Sequence, residues 1–322
     1  MGSDPIALPL LDWLAGEGSA LARLAAVYTQ PDRPAGRGQK TEAGPIKRWA
    51  ERHGVPVRQP AKLTDDERAW LAAQNADVAL VLAYGHILAE AFLAAPRLGT
   101  MNLHASLLPK YRGASPIQTA VASGERETGL ALMRLVKQLD AGPVADVERV
   151  AIGPLDTAAE VETRLAAAAV PLLARALPRL ARGALVFRDQ EHAAASYCRR
   201  LVKDDGAIDF MAPAPALAAR INGLFPWPGC AVEINGVPVR VGLADVAAAS
   251  GRRPEASGTV VGADADGLLV AAGDGLLRLR RLQRPGGKLL SAAEFRRGFP
   301  VAPGTVLASR PMPPLVAPRP FR

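Results

Sequence analysis

Two hydrophobic periods alternate along the first 150 residues. Short apolar runs occupy residues 24–29, 77–83 and 100–104; the first two end on the turn-forming stretches Gln30-Pro31-Asp32 and Tyr84-Gly85. Runs of this length, bounded in this way, predict strands. Between them the spacing lengthens to that of a helix, as in residues 65–75, with Thr64 placed to cap the start. A longer helical stretch covers residues 157–180, capped by Asp156 or Thr157. Strands alternating with helices predict an α/β domain with a Rossmann-like parallel sheet over residues 1–182. The front of the pattern departs from that scheme. Residues 1–5 lead straight into a helical pattern at 6–14, whereas a doubly wound sheet begins with a strand feeding its first helix. The pattern therefore predicts a fold that starts one strand late.

Beyond Gly183 glycine and proline become frequent and the runs shorten to residues 231–234, 237–241, 258–261, 267–271 and 276–282. Asn235-Gly236 and Asp266-Gly267 are hairpin dipeptides. Short strands with such turns predict a small β-barrel domain over residues 196–309. Residues 183–195 carry neither period and read as a linker. The proline-rich residues 310–322 read as a loosely ordered tail.

A chain of 322 residues, 49% hydrophobic and 22% charged, has room for two such domains with cores of their own. Its long apolar run at 166–176 is broken by Pro171 and Arg175 and falls short of a membrane span. No basic-then-apolar leader is visible. Cys198 and Cys230 make neither a disulfide framework nor a metal-ligand spacing, so the expectation is a cytoplasmic protein with no membrane and no metal. The formal charge of +8 is uneven: residues 197–322 hold 17 basic and 10 acidic side chains, a net +7, which leaves +1 for the first 196 residues. That asymmetry suggests catalysis in the first part and contact with a polyanion in the second. A generally arginine-rich surface accounts for the charge equally well.

The chemistry concentrates in residues 101–113. Asn102 and His104 are two apart on a strand and so share a face. His104 closes that strand at its C-terminal end, where open α/β sheets bind ligands. Downstream, Asp140 lies in the turn-rich stretch 139–143. An asparagine donates to a developing oxyanion, a histidine moves protons near neutral pH, and an aspartate orients the imidazole and stabilises its charged form. Such a set suits acyl transfer to an amine, which is its own nucleophile. Spacing alone leaves blander readings open, with His104 a structural hydrogen-bonder and Asp140 a turn residue.

Taken together, Asn102-Leu-His104-Ala-Ser106-Leu-Leu-Pro109, Tyr111-Arg-Gly-Ala-Ser-Pro-Ile117 and Leu139-Asp-Ala-Gly142 resemble the signature of folate-dependent formyltransferases. The resemblance implies that Asn102, His104 and Asp140 are catalytic. It implies a folate-lining loop of Ser106, Leu107, Leu108 and Pro109, and a strand and turn at 81–85 that shape the pterin pocket through Leu82, Tyr84 and Gly85. The implied formyl donor is 10-formyltetrahydrofolate, with no metal. Within the family, residues 27–40, 45–50, 54–57 and 59–60 are similar to members that act on methionyl initiator tRNA. There the resemblance implies a basic insertion at the acceptor stem, carried by Arg33, Arg37 and Lys40, with Gly36 and Gly38 letting the backbone bend. Such cations would contact phosphate and supply affinity more than sequence choice. Without the resemblance the stretch reads as a solvated loop.

Residues 197–209, 220–229 and 282–288 resemble the start and middle of the family's C-terminal domain, an open β-barrel of oligonucleotide-binding type implied to hold the inner side of the tRNA. Arg278, Arg280, Arg281, Arg284 and Lys288 agree with that, and also with ordinary alternation on an exposed strand face. Phe225 and Trp227 read as base-stacking candidates or as packing between domains. The family opens on a central strand with no counterpart here, so the resemblance implies a sheet unpaired at its centre. The implied partner is initiator methionyl-tRNA and the implied state a monomer. Formyl transfer to an amino sugar nucleotide, hydrolysis of formyltetrahydrofolate, and a non-catalytic RNA-binding module remain as alternatives.

Overall fold

The computed structural model describes residues 1–35, 40–248 and 255–321. The chain divides into two compact units. One comprises Met1–Arg112, Gly129–Val150 and Glu162–Ala195; the other comprises Gly113–Thr128, Ala151–Val161 and Ser196–Arg322.

The first unit holds strands β1 (Val27–Tyr28), β2 (Val57–Arg58), β3 (Ala79–Val81) and β4 (Thr100–His104), with most of β5 (Glu127–Arg134) and β6 (Val144–Ala151). β1 and β2 pair in parallel, as do β3 and β4. β4 then pairs antiparallel with β5, giving a sheet ordered β3-β4-β5-β6. The register sets Val81 and Met133 on either side of Asn102, and Ala131 opposite His104. Four of the five β4 residues are buried, Asn102 being the exception; Met101 and Leu103 supply the apolar face.

The first residues bond to both sheet pieces. Met1 N donates to Leu80 O (2.6 Å) and Leu82 N to Met1 O (2.9 Å), while Gly2 N donates to Tyr28 O (2.9 Å) and Ser3 N to Ala83 O (3.0 Å). Behind this bridge lies a cavity of about 370 Å³ whose lining includes Leu10, Leu14, Val27, Leu80, Leu103 and Leu177, with Asp77 and Arg97 also on its wall. Between β1 and β3 the described backbone hydrogen bonds run through Met1–Ser3.

Helices cover this unit for local reasons. α1 (Leu8–Ala15) follows a turn capped by Asp4, whose carboxylate accepts from Ile6 N at 3.0 Å. α2 (Pro45–Arg52) is tied to α1 by Trp49 Nε1 donating to Asp12 Oδ1 (2.6 Å). α3 (Asp65–Ala73) is capped as expected, Thr64 Oγ1 accepting from Glu67 N. A short helix, α4 (Pro116–Ala122), precedes β5 and belongs to the second unit. The long α5 (Ala158–Ala181) begins after Thr157, whose backbone N donates to Glu160 Oε2 (2.9 Å). It buries Leu165, Ala169, Leu172, Leu173 and Ala176 along one stripe. Among the described residues no helix is long and apolar enough to cross a membrane.

In the second unit all five strands expected from the pattern form. They are β7 (Cys230–Ile234), β8 (Val237–Ala247), β9 (Val260–Ala263), β10 (Leu268–Ala271) and β11 (Leu276–Gln283), joined by the short β12 (Leu290–Ser291). The antiparallel order β7-β8-β11-β10-β9, with β12 on β11, puts β7 and β9 at its two ends, and β9 is backed by residues 304–305, Val260 N donating to Thr305 O and Gly304 N to Val260 O (2.8 Å each). Asn235 (φ 50°) and Gly236 (φ 74°) both take the left-handed conformation that a two-residue hairpin turn requires. β8 outruns its expected end at 241 because register shifts at Val241/Leu243 and Leu243/Ala244 absorb Gly242 as a bulge. Inside, α6 (Ala214–Gly223) packs on β8, and the Asn222 amide exchanges hydrogen bonds with both backbone groups of Ala244 (2.9 Å each).

The tail corrects an expectation. Val316–Ala317 pairs with Tyr197–Cys198, Leu315 is buried, and the buried Arg220 donates through Nη2 to Pro313 O (3.0 Å). Proline removes donors but leaves carbonyls, and a buried guanidinium seeks such acceptors. The expected linker is held as well: Val144 and Arg188 exchange backbone hydrogen bonds (2.8 and 2.9 Å).

Candidate active site

The strand β4 delivers His104 at its C-terminal end, buried, with Asn102 two residues earlier on the same face. His104 Nε2 lies 2.9 Å from Tyr111 O. A carbonyl only accepts, so Nε2 carries the proton in this contact. That leaves Nδ1 as the proton-exchanging nitrogen, and it faces Asp140 Oδ2 at 3.7 Å. The distance is within ion-pair range and longer than a direct hydrogen bond. The sequence-predicted trio thus belongs to one unit, and the imidazole is clasped between a carbonyl and a carboxylate.

Both partners of His104 sit in left-handed backbone, Tyr111 at φ 58° and Asp140 at φ 46°. Non-glycine residues there are uncommon, cost on the order of 1–3 kcal/mol, and cluster at functional sites. Ser106 holds the intervening loop: its N donates to His104 O (2.9 Å) and its Oγ to Lys110 O (2.6 Å). The Ser106 hydroxyl is therefore buried and engaged within the loop, while Leu107, Leu108 and Pro109 are half-buried. Gly113, at φ 114°, closes the stretch; a Cβ there would lie 2.1 Å from Cys198 O, so only glycine fits.

The residues expected on the pterin side divide. Leu82 and Tyr84 are buried, and the Tyr84 ring packs with Tyr28, Leu71, Val81 and Phe92. Burial, with help from the Glu67 charge, pushes the Tyr84 phenol up to about 12. The Tyr84 carbonyl accepts from Ser3 Oγ (3.1 Å) and Gln30 Nε2 (3.2 Å). Gly85 (φ 79°) is exposed and turns the chain outward. Two residues on, Ile87 is 98% exposed, an apolar side chain the sequence did not single out.

Two further residues were missed. Gln190, in the expected linker, is buried; its Nε2 donates to Asp140 O (2.8 Å) and Gly142 O (2.7 Å). Its Oε1 accepts from Nε (3.1 Å) and Nη2 (2.7 Å) of the buried Arg112. Arg112 lay within the Tyr111-Arg-Gly motif and was readable; Gln190 carried no signal.

Of the expected tRNA contacts, Arg33 is exposed on the strand Arg33–Ala35, with Nη2 donating to Gln30 Oε1 (3.0 Å). Lys40 begins the opposite strand, Lys40–Glu42. Arg37 lies outside the described residues. Lys47, on α2, is paired to Asp32 (2.5 Å). Hydrogen bonds from Gln59 and Lys47 hold the Asp32 carboxyl below its usual range.

In the second unit, Arg278 pairs with Asp245, Asp264 and Asp266 (3.3, 3.0 and 3.6 Å), and Arg280 with Asp245 and Asp266 (3.0 and 3.5 Å). These two cations are internally compensated. Arg281, Arg284 and Lys288 are exposed. A separate cavity of about 400 Å³ is lined by Lys203, Arg240, Arg284 and Arg310 against a single acid, Asp204. Beside it the Arg240 guanidinium sits 5.2 Å over the Phe225 ring, and Trp227 is 60% exposed.

A family profile described as formyl transferase matches residues 6–177, and one described as formyl transferase, C-terminal domain, matches residues 200–300. The chain is 44% identical over 279 residues to a methionyl-tRNA formyltransferase of Aromatoleum aromaticum, covering 86% of this chain and 87% of the relative. It is 41% identical to one of Parvibaculum lavamentivorans, covering 96% and 98%. Among solved structures, the N-formyltransferase of Helicobacter canadensis in complex with folinic acid and dTDP-3-aminofucose superposes with a TM-score of 0.63. That match has 17% identity and covers 86% of this chain and 96% of that one, a likeness of fold.

Proposed function

The chain belongs to the formyl transferase family, and on that premise we propose that it transfers a formyl group from 10-formyltetrahydrofolate to the amino group of methionyl initiator tRNA. The observation that carries the chemistry is Asn102 and His104 on one face of β4, with Asp140 opposite His104 Nδ1. The surroundings suit a flat folate ring: Leu107, Leu108 and Pro109 are half-buried, and Gly85 and Ile87 are exposed at the neighbouring strand end. When bound, 10-formyltetrahydrofolate supplies the formyl carbon to which the uncharged amine bonds, while the bond from that carbon to the folate nitrogen breaks.

Each residue then has a definable task. The Asn102 amide donates to the formyl oxygen as charge gathers there. Protonated His104 assists it, gives its Nδ1 proton to the departing nitrogen and, once neutral at Nδ1, takes up the proton lost by the amine, because Nε2 is committed to Tyr111 O. Asp140 faces Nδ1 and orients the imidazole. The Ser106–Lys110 hydrogen bond holds the loop closed beside them.

The tRNA acceptor is supported by relatives that carry that name and by the four-cation cavity of the second unit. It places the enzyme in translation initiation, in the cytoplasm. An amino sugar nucleotide acceptor would need no such surface. The two separate on salt dependence, since each phosphate contact released contributes about one unit to the slope of log affinity against log salt. Replacing Arg240 and Arg310 with alanine together is expected to raise KM for methionyl-tRNA and to flatten that slope by about two. KM measured across a salt series checks this, and a wild-type slope in the double variant would remove the cavity from the tRNA surface.

A further inference from the structure

The catalytic pair is held by a device outside the formyltransferase signature's three residues. His104 comes from the end of β4 and Asp140 from a separate loop, and each is tethered through backbone to the same two side chains. Tyr111, whose carbonyl holds His104 Nε2, is followed directly by Arg112. Arg112 Nε and Nη2 donate to Gln190 Oε1 (3.1 and 2.7 Å). Gln190 Nε2 donates in turn to Asp140 O (2.8 Å) and Gly142 O (2.7 Å). Arg112 Nη2 also reaches His192 Nδ1 at 2.9 Å.

The orientation of the Gln190 amide is forced. A guanidinium has donors only and a carbonyl is an acceptor only. Turned over, the amide would set NH₂ against Arg112 and oxygen against two carbonyls, losing all four contacts. Each donor and acceptor of the buried amide is used, and networks satisfied in this way are rigid. Asp140 needs such support because its backbone is left-handed (φ 46°), a conformation that persists only where the surroundings fix it.

We propose that Gln190, anchored by Arg112, is a positioning residue that sets the separation between the Asp140 carboxylate and His104 Nδ1. This rests on the catalytic reading of Asn102, His104 and Asp140 given above. Neither side chain needs to touch substrate. A carboxylate displaced by about 1 Å lowers the rate about 100-fold without changing what binds.

Gln190→Glu separates positioning from simple support. A carboxylate keeps an acceptor for Arg112 and gains an ion pair with it, but it cannot donate to Asp140 O or Gly142 O. Formyl transfer to methionyl-tRNA and thermal melting are compared for the wild type, Gln190→Glu, Gln190→Met and His104→Ala. The expected result for Gln190→Glu is kcat about 100-fold down, KM for the formyl donor within about twofold, and melting near wild type. Gln190→Met is expected to show the same kcat loss per folded molecule together with lower melting, since it leaves Arg112 without this acceptor. If Gln190→Glu fails to fold, the kcat and KM of Gln190→Met per folded molecule decide the matter. Wild-type kcat in a folded variant overturns the proposal, as does a loss that falls wholly on KM. His104→Ala keeps the two ideas apart: if it is inactive while Gln190→Glu is normal, only the brace is wrong, whereas if His104→Ala is itself normal, the catalytic reading has failed.

Discussion

Replacing His104 with alanine is expected to lower kcat about 1000-fold while KM for the formyl donor changes little. General acid–base groups contribute roughly 100- to 10,000-fold, and His104 is the buried group with one ring nitrogen fixed by Tyr111 O and the other facing Asp140. Its removal takes away a proton carrier and leaves Asp140 without the imidazole it faces. An interaction made chiefly in the transition state is lost from kcat and kcat/KM together. Steady-state kinetics at saturating methionyl-tRNA, with folate affinity measured separately, reads both quantities. A variant that turns over normally, or that fails only through weaker folate binding, contradicts the assignment of His104 as the proton carrier.

Replacing Asp205 with alanine is expected to destabilise the second unit by about 3 kcal/mol, as breaking a buried ion pair does. The Asp205 side chain is fully buried and accepts from Arg199 Nη1 (2.8 Å) and Val202 N (2.7 Å), with a second contact to Arg199 Nη2. Burial pushes the carboxyl up, but the Arg199 hydrogen bond, the Val202 N–H and the charges of Arg199 and Arg220 together outweigh it and leave it below the usual range. A carboxyl lowered on folding adds stability that is fully present above its unfolded value, near pH 4, and is lost as pH falls through the folded value. The difference between wild type and Asp205→Ala should therefore be largest at neutral pH and shrink below about pH 4. Urea unfolding of both proteins over that range checks it; a difference independent of pH would mean that the cost comes from packing, not charge.

Parts of this molecule were legible because their constraints are local. Residues 100–104 formed a strand with the expected ends; the buried Met101 and Leu103 alternate with Thr100, Asn102 and His104 at the period of a strand. The Thr64 cap and the Asn235-Gly236 turn were likewise readable. In the run at 24–29, Val27 and Tyr28 are the paired residues, and Met1–Ser3 bond to the backbone of Tyr28, Leu80, Leu82 and Ala83. Composition misjudged residues 310–322, where few donors suggested looseness but the Pro313 carbonyl serves Arg220. Counting charges misjudged Arg278 and Arg280, whose aspartate partners come from other strands and turns. Of the candidate site, Asn102, His104 and Asp140 were all visible in the sequence. Gln190 was not, because what fixes it lies 48 and 50 residues earlier, at the Gly142 and Asp140 carbonyls.

The central claim is that the chain moves a formyl group onto the amine of methionyl initiator tRNA. Its most direct test is to incubate the protein with 10-formyltetrahydrofolate and methionyl initiator tRNA, an amino sugar nucleotide, or no acceptor, and to quantify formylated product and free formate. The account predicts rapid formation of formyl-methionyl-tRNA that falls steeply with added salt, little transfer to the sugar and little formate. Transfer confined to the sugar nucleotide, or formate release at the same rate without any amine, would contradict it.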